Sequence, residues 1–118
     1  MSDSTDADTA LLLDMLQAAR SALSFLDGVD EARFRSSELH QFAMIRALEI
    51  IGEAAGKVSA SCQAANPGIP WREITGMRHR LIHDYRDVRL EIVWFAVTER
   101  LAPLIAALEP LIPDEGQT

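Results

Sequence analysis

The sequence predicts an all-α fold, an antiparallel bundle of four to five helices in one domain. Apolar residues make up 48% of the 118 residues and aromatic residues 6%, which favours a core rich in Leu, Ile and Ala. Apolar residues recur at helical spacing, and glycine and proline are confined to a few places. A chain of this length is near the usual size of one domain. We expect the domain to span residues 9–110, between flexible tails at residues 1–8 and 111–118.

The first helix is expected to follow a polar, acidic and frayed segment, Met1 to Ala7. Asp8 or Thr9 can cap it, and Asp27-Gly28 ends it after about Leu26. Its apolar stripe consists of Leu12, Leu16, Ala19, Leu23 and Leu26. Residues 31–37 form a charged connector, with a helical turn around Phe34.

The second helix is long, about residues 38–61, with Ser36 or Ser37 as its cap. It carries two apolar faces. One consists of Leu39, Ala43, Ala47, Ile50, Ala54 and Val58, and the other of Phe42, Ile45, Leu48, Gly52 and Ala55. Two apolar faces indicate burial on two sides, so we interpret the second as part of a dimer contact.

The last two helices are separated from the second by a turn at residues 66–70. Pro70 can occupy the first position of a short third helix that stops near Tyr85. Asp87 is placed to cap a fourth helix, about residues 88–108. Pro103 lies inside that helix, removes one backbone donor and should kink it near Glu99.

Charge and cysteine content narrow the classes of function. The net charge is −7, which argues against a protein that coats nucleic acid. However, residues 72–89 carry five arginines against three acidic residues, so a local basic cleft can form. The single cysteine excludes a disulfide framework and a Cys-based zinc site. The sequence has no apolar run of 18 residues and no basic signal peptide, so we expect a cytoplasmic protein.

The candidate chemistry lies in the segment from Gly76 to Tyr85. Arg78 and His83 are about 140° apart around a helix, and the long Arg78 side chain can bend back toward His83. An imidazole can accept the proton of a ribose 2′-OH or protonate the leaving oxygen. A guanidinium binds phosphate oxygens and stabilises charge in the transition state. Spacing alone is weak evidence, because Arg35 and His40 have the same spacing.

The context of Arg78 and His83 is more specific than their spacing. Trp71-Arg72-Glu73-Ile74 leads into Gly76-Met77-Arg78, and Leu81-Ile82-His83-Asp84-Tyr85 follows. This segment resembles the HepT-like branch of the HEPN domain family, whose signature is Arg-x4-His-x-Tyr. The resemblance continues in the segments 50–55, 67–71, 93–94 and 101–104, and covers about residues 11–108.

The resemblance implies a HEPN-type bundle that acts as the toxin of a type VII-like toxin–antitoxin pair. The implied activity is metal-independent endoribonuclease cleavage of tRNA or mRNA, without a cofactor and without DNA or membrane partners. Arg78 and His83 would be catalytic. Tyr85 would contact RNA and accept AMP from a cognate minimal nucleotidyltransferase antitoxin, which blocks the toxin. Family members form homodimers in which two motifs share one cleft.

One residue departs from the family pattern, because His79 stands where the family usually has Asn. Its imidazole could donate a similar hydrogen bond, act as an extra acid or disturb the geometry. Arg80 and Arg86, like His79, are candidates for RNA binding, and solvated helix-face charges are the alternative for both arginines.

Each site residue also has an ordinary structural interpretation. His83 could bond a backbone carbonyl, Arg78 could pair with Asp84 or with an acid on the fourth helix, and Tyr85 could be half-buried packing. We interpret Arg35 and His40 as structural or surface residues. Trp71 and Trp94 are interpreted as packing residues.

Two other functions remain open from the sequence. The bundle could be a non-catalytic binding module that partners a minimal nucleotidyltransferase, with Arg78 and His83 as nucleotide or interface contacts. It could also be a plain dimerisation bundle in which the motif is incidental.

Overall fold

Four long helical segments make up the body of the protein in this computed structural model, which describes residues 2–84 and 87–113, with side chains from residue 6 onward. They are α1 (Ser2–Phe25), α3 (Glu38–Lys57), α5 (Trp71–His83) and a last helix. The last helix joins α6 (Leu90–Phe95), a π-helical segment (Ala96–Arg100) and α7 (Leu101–Leu108). Short helices α2 (Glu31–Ser36) and α4 (Ala60–Ala65) lie in the connections, and a 3-10 turn (Glu109–Leu111) follows α7. The predicted all-α bundle is confirmed.

The core lies between α1, α3 and the last helix. Helix α3 packs against α1 on one side and α5 on another, while α7 packs against α1. The largest fully buried side chains are Phe34, Met15, Leu16, Met44, Leu108, Val93 and Val97. The predicted packing roles of the tryptophans are confirmed, since Trp71 is buried and the Trp94 ring lies 5.2 Å from that of Phe34.

The first helix begins earlier than the sequence predicts. It starts at Ser2, and neither Asp8 nor Thr9 caps it. The Asp8 carboxylate instead accepts hydrogen bonds from the backbone N–H and the hydroxyl of Ser59, at 2.9 and 2.6 Å. A side chain that would suit a helix cap is therefore used for a tertiary contact with the start of α4.

The second predicted helix is divided in two. Helix α3 ends at Lys57 and not near Ser61, because Val58 adopts an extended backbone. Ser59 then caps α4, with its hydroxyl oxygen accepting from the Cys62 N–H. At the other end, the cap is Ser37, one of the two serines predicted. The predicted turn around Phe34 is the complete helix α2, capped by the Asp30 side chain.

The third and fourth helices also differ at their ends. Pro70 is the residue before α5 and not its first residue, and α5 ends at His83. Tyr85, where the sequence predicts the end, lies outside the described residues. The last helix begins at Leu90, three residues after Asp87, and has Arg89 at its N-cap without a side-chain hydrogen bond, so the predicted Asp87 cap is wrong. The Asp87 N–H donates to the Asp84 carbonyl at 2.8 Å, in the turn that follows α5.

Pro103 disturbs the last helix where the sequence predicts. Its ring nitrogen has no hydrogen to donate to the carbonyl of Glu99, four residues earlier. The helix widens over Ala96–Arg100 into a π-helical segment. This change of hydrogen-bonding pattern includes Glu99.

The second apolar face of α3, predicted to form a dimer contact, is only partly exposed to solvent. Leu48, Gly52 and Ala55 are buried within the protomer, because α5 covers that part of α3. Phe42, near the start of α3, is 68% exposed. Leu39 was predicted on the first face, toward the core, but it is 75% exposed, so that prediction is wrong for this residue and Leu39 adds to the exposed apolar surface. The candidate contact surface is therefore confined to the first turns of α3. Within the described residues, no helix combines the length and apolarity needed to cross a membrane.

Candidate active site

Helix α5 presents three different faces. Trp71 and Leu81 are buried toward the core, and the Trp71 indole N–H donates to the Asn66 carbonyl at 3.0 Å, which fixes the start of the helix. A second face lies toward the last helix, and a third carries exposed histidines. The motif residues are distributed among these faces by the 100° step of an α-helix.

Arg78 lies on the face of α5 that packs against α3. Gly52 on α3 sits directly opposite, so close that a Cβ at this position would overlap the Arg78 Cβ and lie 3.2 Å from its Cγ. The missing side chain of Gly52 therefore makes room for the stem of Arg78. Gly52 is part of the site, a role that the sequence analysis did not predict. A glycine inside a long helix destabilises the helix by about 0.5–1 kcal/mol relative to alanine. A glycine at such a position can therefore indicate that another chain segment approaches closely there.

The Arg78 guanidinium is partly buried but has no carboxylate partner among the described residues. Its Nε is buried and is the one buried side-chain nitrogen or oxygen of the described residues that lacks a hydrogen-bond partner. A buried donor without a partner costs about 1–3 kcal/mol. A side chain that served only stability would not be expected to leave this donor unpaired.

His79 and His83 are brought together on the exposed face. They lie one turn apart, with ring centroids separated by 4.2 Å and ring planes inclined by 43°. His83 is the last residue of α5. The residue that departs from the family pattern is thus in direct contact with the candidate catalytic histidine.

No hydrogen bond joins Arg78 and His83 in the part of the chain that the structure describes. Arg78 forms no ion pair there with Asp84 or with an acid on the last helix. The imidazole of His83 likewise bonds no backbone carbonyl among the described residues. The ion pair considered for Arg78 and the carbonyl bond considered for His83 are therefore not found among residues 2–84 and 87–113.

The second Arg-x4-His pair shows the opposite behaviour. Arg35 forms an ion pair with Glu31, with N–O distances of 3.0 and 3.1 Å. His40 Nδ1 lies 2.6 Å from the Ser37 hydroxyl, within the cap of α3. Both groups have structural partners, as predicted. The two pairs share a spacing, but within the described part of the chain Arg78 and His83 have no ion-pair or hydrogen-bond partner of this kind.

Arg80 reaches a second surface feature beside the histidine pair. It lines a largely apolar groove of about 440 Å³ between α5 and the last helix, over Leu48 and Ile51 of α3. Glu73 and Arg100 lie on the same groove and form an exposed ion pair at 3.6 Å. Of the two candidates for RNA binding that the structure describes, His79 contacts the His83 ring, and Arg80 lines the groove. Arg86, like Tyr85, lies outside the described residues.

Comparison with known proteins gives a consistent result. A family model described as ribonuclease HepT-like matches residues 15–111. The chain is 36% identical over 90 residues to a candidate RNase of Methanocaldococcus jannaschii, covering 76% of this chain and 83% of that protein. It is 36% identical over 104 residues to the probable ribonuclease HepT of Thermococcus cleftensis, covering 88% and 89%. No solved structure matches the chain.

Proposed function

Because this chain belongs to the HepT-like ribonuclease family, we propose that it is a metal-independent endoribonuclease in which Arg78 and His83 are catalytic. The observation that carries this proposal is the contrast between the two Arg-x4-His pairs. Arg35 and His40 have structural partners, whereas the Arg78 Nε is buried and unpaired and the His83 ring is exposed. The exposed His83 ring is accessible to a substrate, and no carboxylate of the described residues pairs with Arg78 and competes with a phosphate.

The proposed reaction uses the ribose 2′-OH as nucleophile. His83 accepts the proton of this hydroxyl, the O2′–P bond forms, and the P–O5′ bond breaks with a proton delivered to the leaving oxygen. The products are a 2′,3′-cyclic phosphate and a 5′-hydroxyl. Arg78 binds the non-bridging oxygens and stabilises their charge. DNA lacks the 2′-OH and is not a substrate.

The acid that protonates the leaving oxygen must lie opposite the base, because the attacking and leaving oxygens are in line. His79 and His83 lie side by side on one helix, with ring centroids 4.2 Å apart, so they do not suit opposite sides of one phosphorus. This arrangement supports a homodimer in which the His83 side chains of two protomers flank a shared cleft. The exposed Leu39 and Phe42 are a candidate contact surface for that dimer.

Regulation of the proposed toxin involves the residue two positions after His83. In the proposal, a cognate minimal nucleotidyltransferase antitoxin adds AMP to Tyr85. The modification brings negative charge and bulk next to His83, where it competes with the phosphate of RNA. This step rests on the family and on the position of Tyr85 in the sequence.

A non-catalytic binding module is the second candidate. The contact between the His79 and His83 rings favours it, because one side of the proposed general base is covered by a second imidazole. In that case Arg78 and His83 would bind a nucleotide or the nucleotidyltransferase without cutting RNA. An RNA cleavage assay separates the nuclease from the binding module.

The test is cleavage of tRNA and mRNA by purified protein, unmodified at Tyr85, with EDTA present. We expect Arg78→Ala and His83→Ala each to lower the cleavage rate by about 100-fold or more. Arg35→Ala and His40→Ala are matched controls with the same spacing and should cut at the parent rate. Folding of each variant is checked by thermal melting. If the folded parent leaves every RNA intact, the nuclease proposal is wrong for these substrates, and binding to the nucleotidyltransferase becomes the question.

A further inference from the structure

The histidine pair on α5 has a geometry with a second chemical use. His79 and His83 are four residues apart, both exposed, and their rings already meet at a centroid distance of 4.2 Å. Within the described residues, neither ring forms a hydrogen bond to the protein. Two imidazoles with free nitrogens on one face of a helix can act as a bidentate ligand.

We propose that His79 and His83 chelate a divalent transition-metal ion such as Zn²⁺, Ni²⁺ or Cu²⁺. Imidazole suits these ions, whereas Mg²⁺ and Ca²⁺ prefer oxygen ligands. Zinc–nitrogen bonds of about 2.0–2.1 Å at a tetrahedral angle require coordinating nitrogens roughly 3.3 Å apart. The ring centroids of His79 and His83 are 4.2 Å apart. Small side-chain rotations, which exposed side chains can make, bring one nitrogen of each ring to the separation that the metal requires.

The rest of the coordination sphere belongs to the solvent. The described residues contain no group of three or more His, Cys, Asp and Glu side chains positioned around one point. Two protein ligands plus water give an exchangeable ion, since structural zinc sites use four protein ligands. Nearby Arg78 and Arg80 also oppose a bound cation, with Asp84 as the neighbouring exposed acid.

The consequence for activity rests on the proposed nuclease function. A ring nitrogen that donates its lone pair to a metal cannot accept the 2′-OH proton, so the bound ion excludes general base catalysis by His83. The metal is therefore an inhibitor and not a cofactor. An asparagine after Arg78, which the HepT-like family usually has, would supply no imidazole. The inhibition depends on His79, a feature of this chain.

Metal binding is measured directly on the full chain after treatment with a chelator and its removal. In an NMR titration with Zn²⁺, the imidazole signals of His79 and His83 should shift together while those of His40 remain in place. In calorimetric titrations with Ni²⁺, His79→Asn and His83→Asn should each weaken binding roughly tenfold or more, because the second imidazole then no longer binds intramolecularly. His40→Asn is the matched control and should bind like the parent. Equal binding by the parent and His79→Asn, or no shift of the two histidine signals, would overturn the site.

The activity measurement is kept separate. If the parent cuts RNA, Ni²⁺ should inhibit it, excess EDTA should restore it, and Mg²⁺ at the same concentration should have no such effect. The fractional inhibition should be lost in His79→Asn, whatever the basal rate of that variant. Parent protein that binds Ni²⁺ through both histidines but never cuts RNA would contradict the nuclease and leave the metal site standing. Parent protein that cuts RNA but binds no metal would contradict the metal site alone.

Discussion

The close contact between α3 and α5 makes Gly52→Ala the sharpest test of how Arg78 is positioned. A Cβ at residue 52 would overlap the Arg78 Cβ and lie 3.2 Å from its Cγ and 3.1 Å from the Ile74 carbonyl oxygen. The last of these atoms is backbone, so rotation of a side chain cannot relieve every contact. We expect α5 to shift away from α3 and to carry Arg78 with it.

The two effects of this substitution on stability oppose each other. Overpacking of a well-packed site costs about 1–3 kcal/mol. Alanine in place of glycine inside a helix stabilises by about 1 kcal/mol. The net change in the free energy of unfolding is then a loss of about 0–2 kcal/mol, which corresponds to a fall in Tm of up to about 10 °C for a domain of this size. Displacement of the guanidinium on the order of 1 Å would lower cleavage about 100-fold.

Gly56→Ala is the matched control, one turn further along the same face of α3. There the nearest atom to the added Cβ is the Thr75 Cγ2 at 3.7 Å, an ordinary van der Waals contact. This variant should melt slightly above the parent and cut RNA at the parent rate. Thermal melting and the RNA cleavage assay, run on both variants, give the result. If Gly52→Ala melts like Gly56→Ala and retains full activity, the packing of Gly52 does not position Arg78.

Three further predictions concern the cap of α3, the start of α4 and the exposed surface. Ser37→Ala removes the oxygen that accepts from the His40 N–H at 3.2 Å, and should lower the free energy of unfolding by about 1 kcal/mol in urea titrations; an unchanged midpoint would mean that this cap contributes nothing. Hydrogen bonds from the Ser59 hydroxyl and N–H lower the pKa of Asp8, so its contribution is present above about pH 4 and lost as the pH falls further. The Tm difference between the parent and Asp8→Ala should therefore close on acidification, and a difference that persists at about pH 2 would contradict this account. Phe42→Asp should convert the proposed dimer to a monomer in sedimentation, with little change in Tm because Phe42 is 68% exposed. A variant that sediments as a dimer like the parent would show that Phe42 is not in the contact. A parent that sediments as a monomer would refute the dimer.

Local signals in the sequence were sufficient for the all-α class and for the apolar stripe of the first helix, but not for that of α3, where Leu39 is exposed and the buried Met44 and Ile51 were placed on neither face. Leu12, Leu16 and Ala19 were predicted to be buried and are buried, because helical periodicity depends only on neighbours along the chain. Helix ends were predicted less well, since capping side chains have alternative partners. Asp8 bonds to Ser59, 51 residues away, and nothing in the local sequence indicates that choice.

For the Arg-x4-His motif, too, some features follow from the sequence and others only from the tertiary structure. The sequence by itself determined that Arg78 and His83 lie about 140° apart, because this follows from the pitch of one helix. The contact between the His79 and His83 rings was not predicted and became apparent in the structure. Only the tertiary structure decided that the Arg78 stem packs on Gly52, that its Nε is buried without a partner, and that Arg80 faces a separate groove. These outcomes depend on which face of α5 meets α3. That choice is made by burial of apolar surface between segments distant in the chain, and no local pattern specifies it.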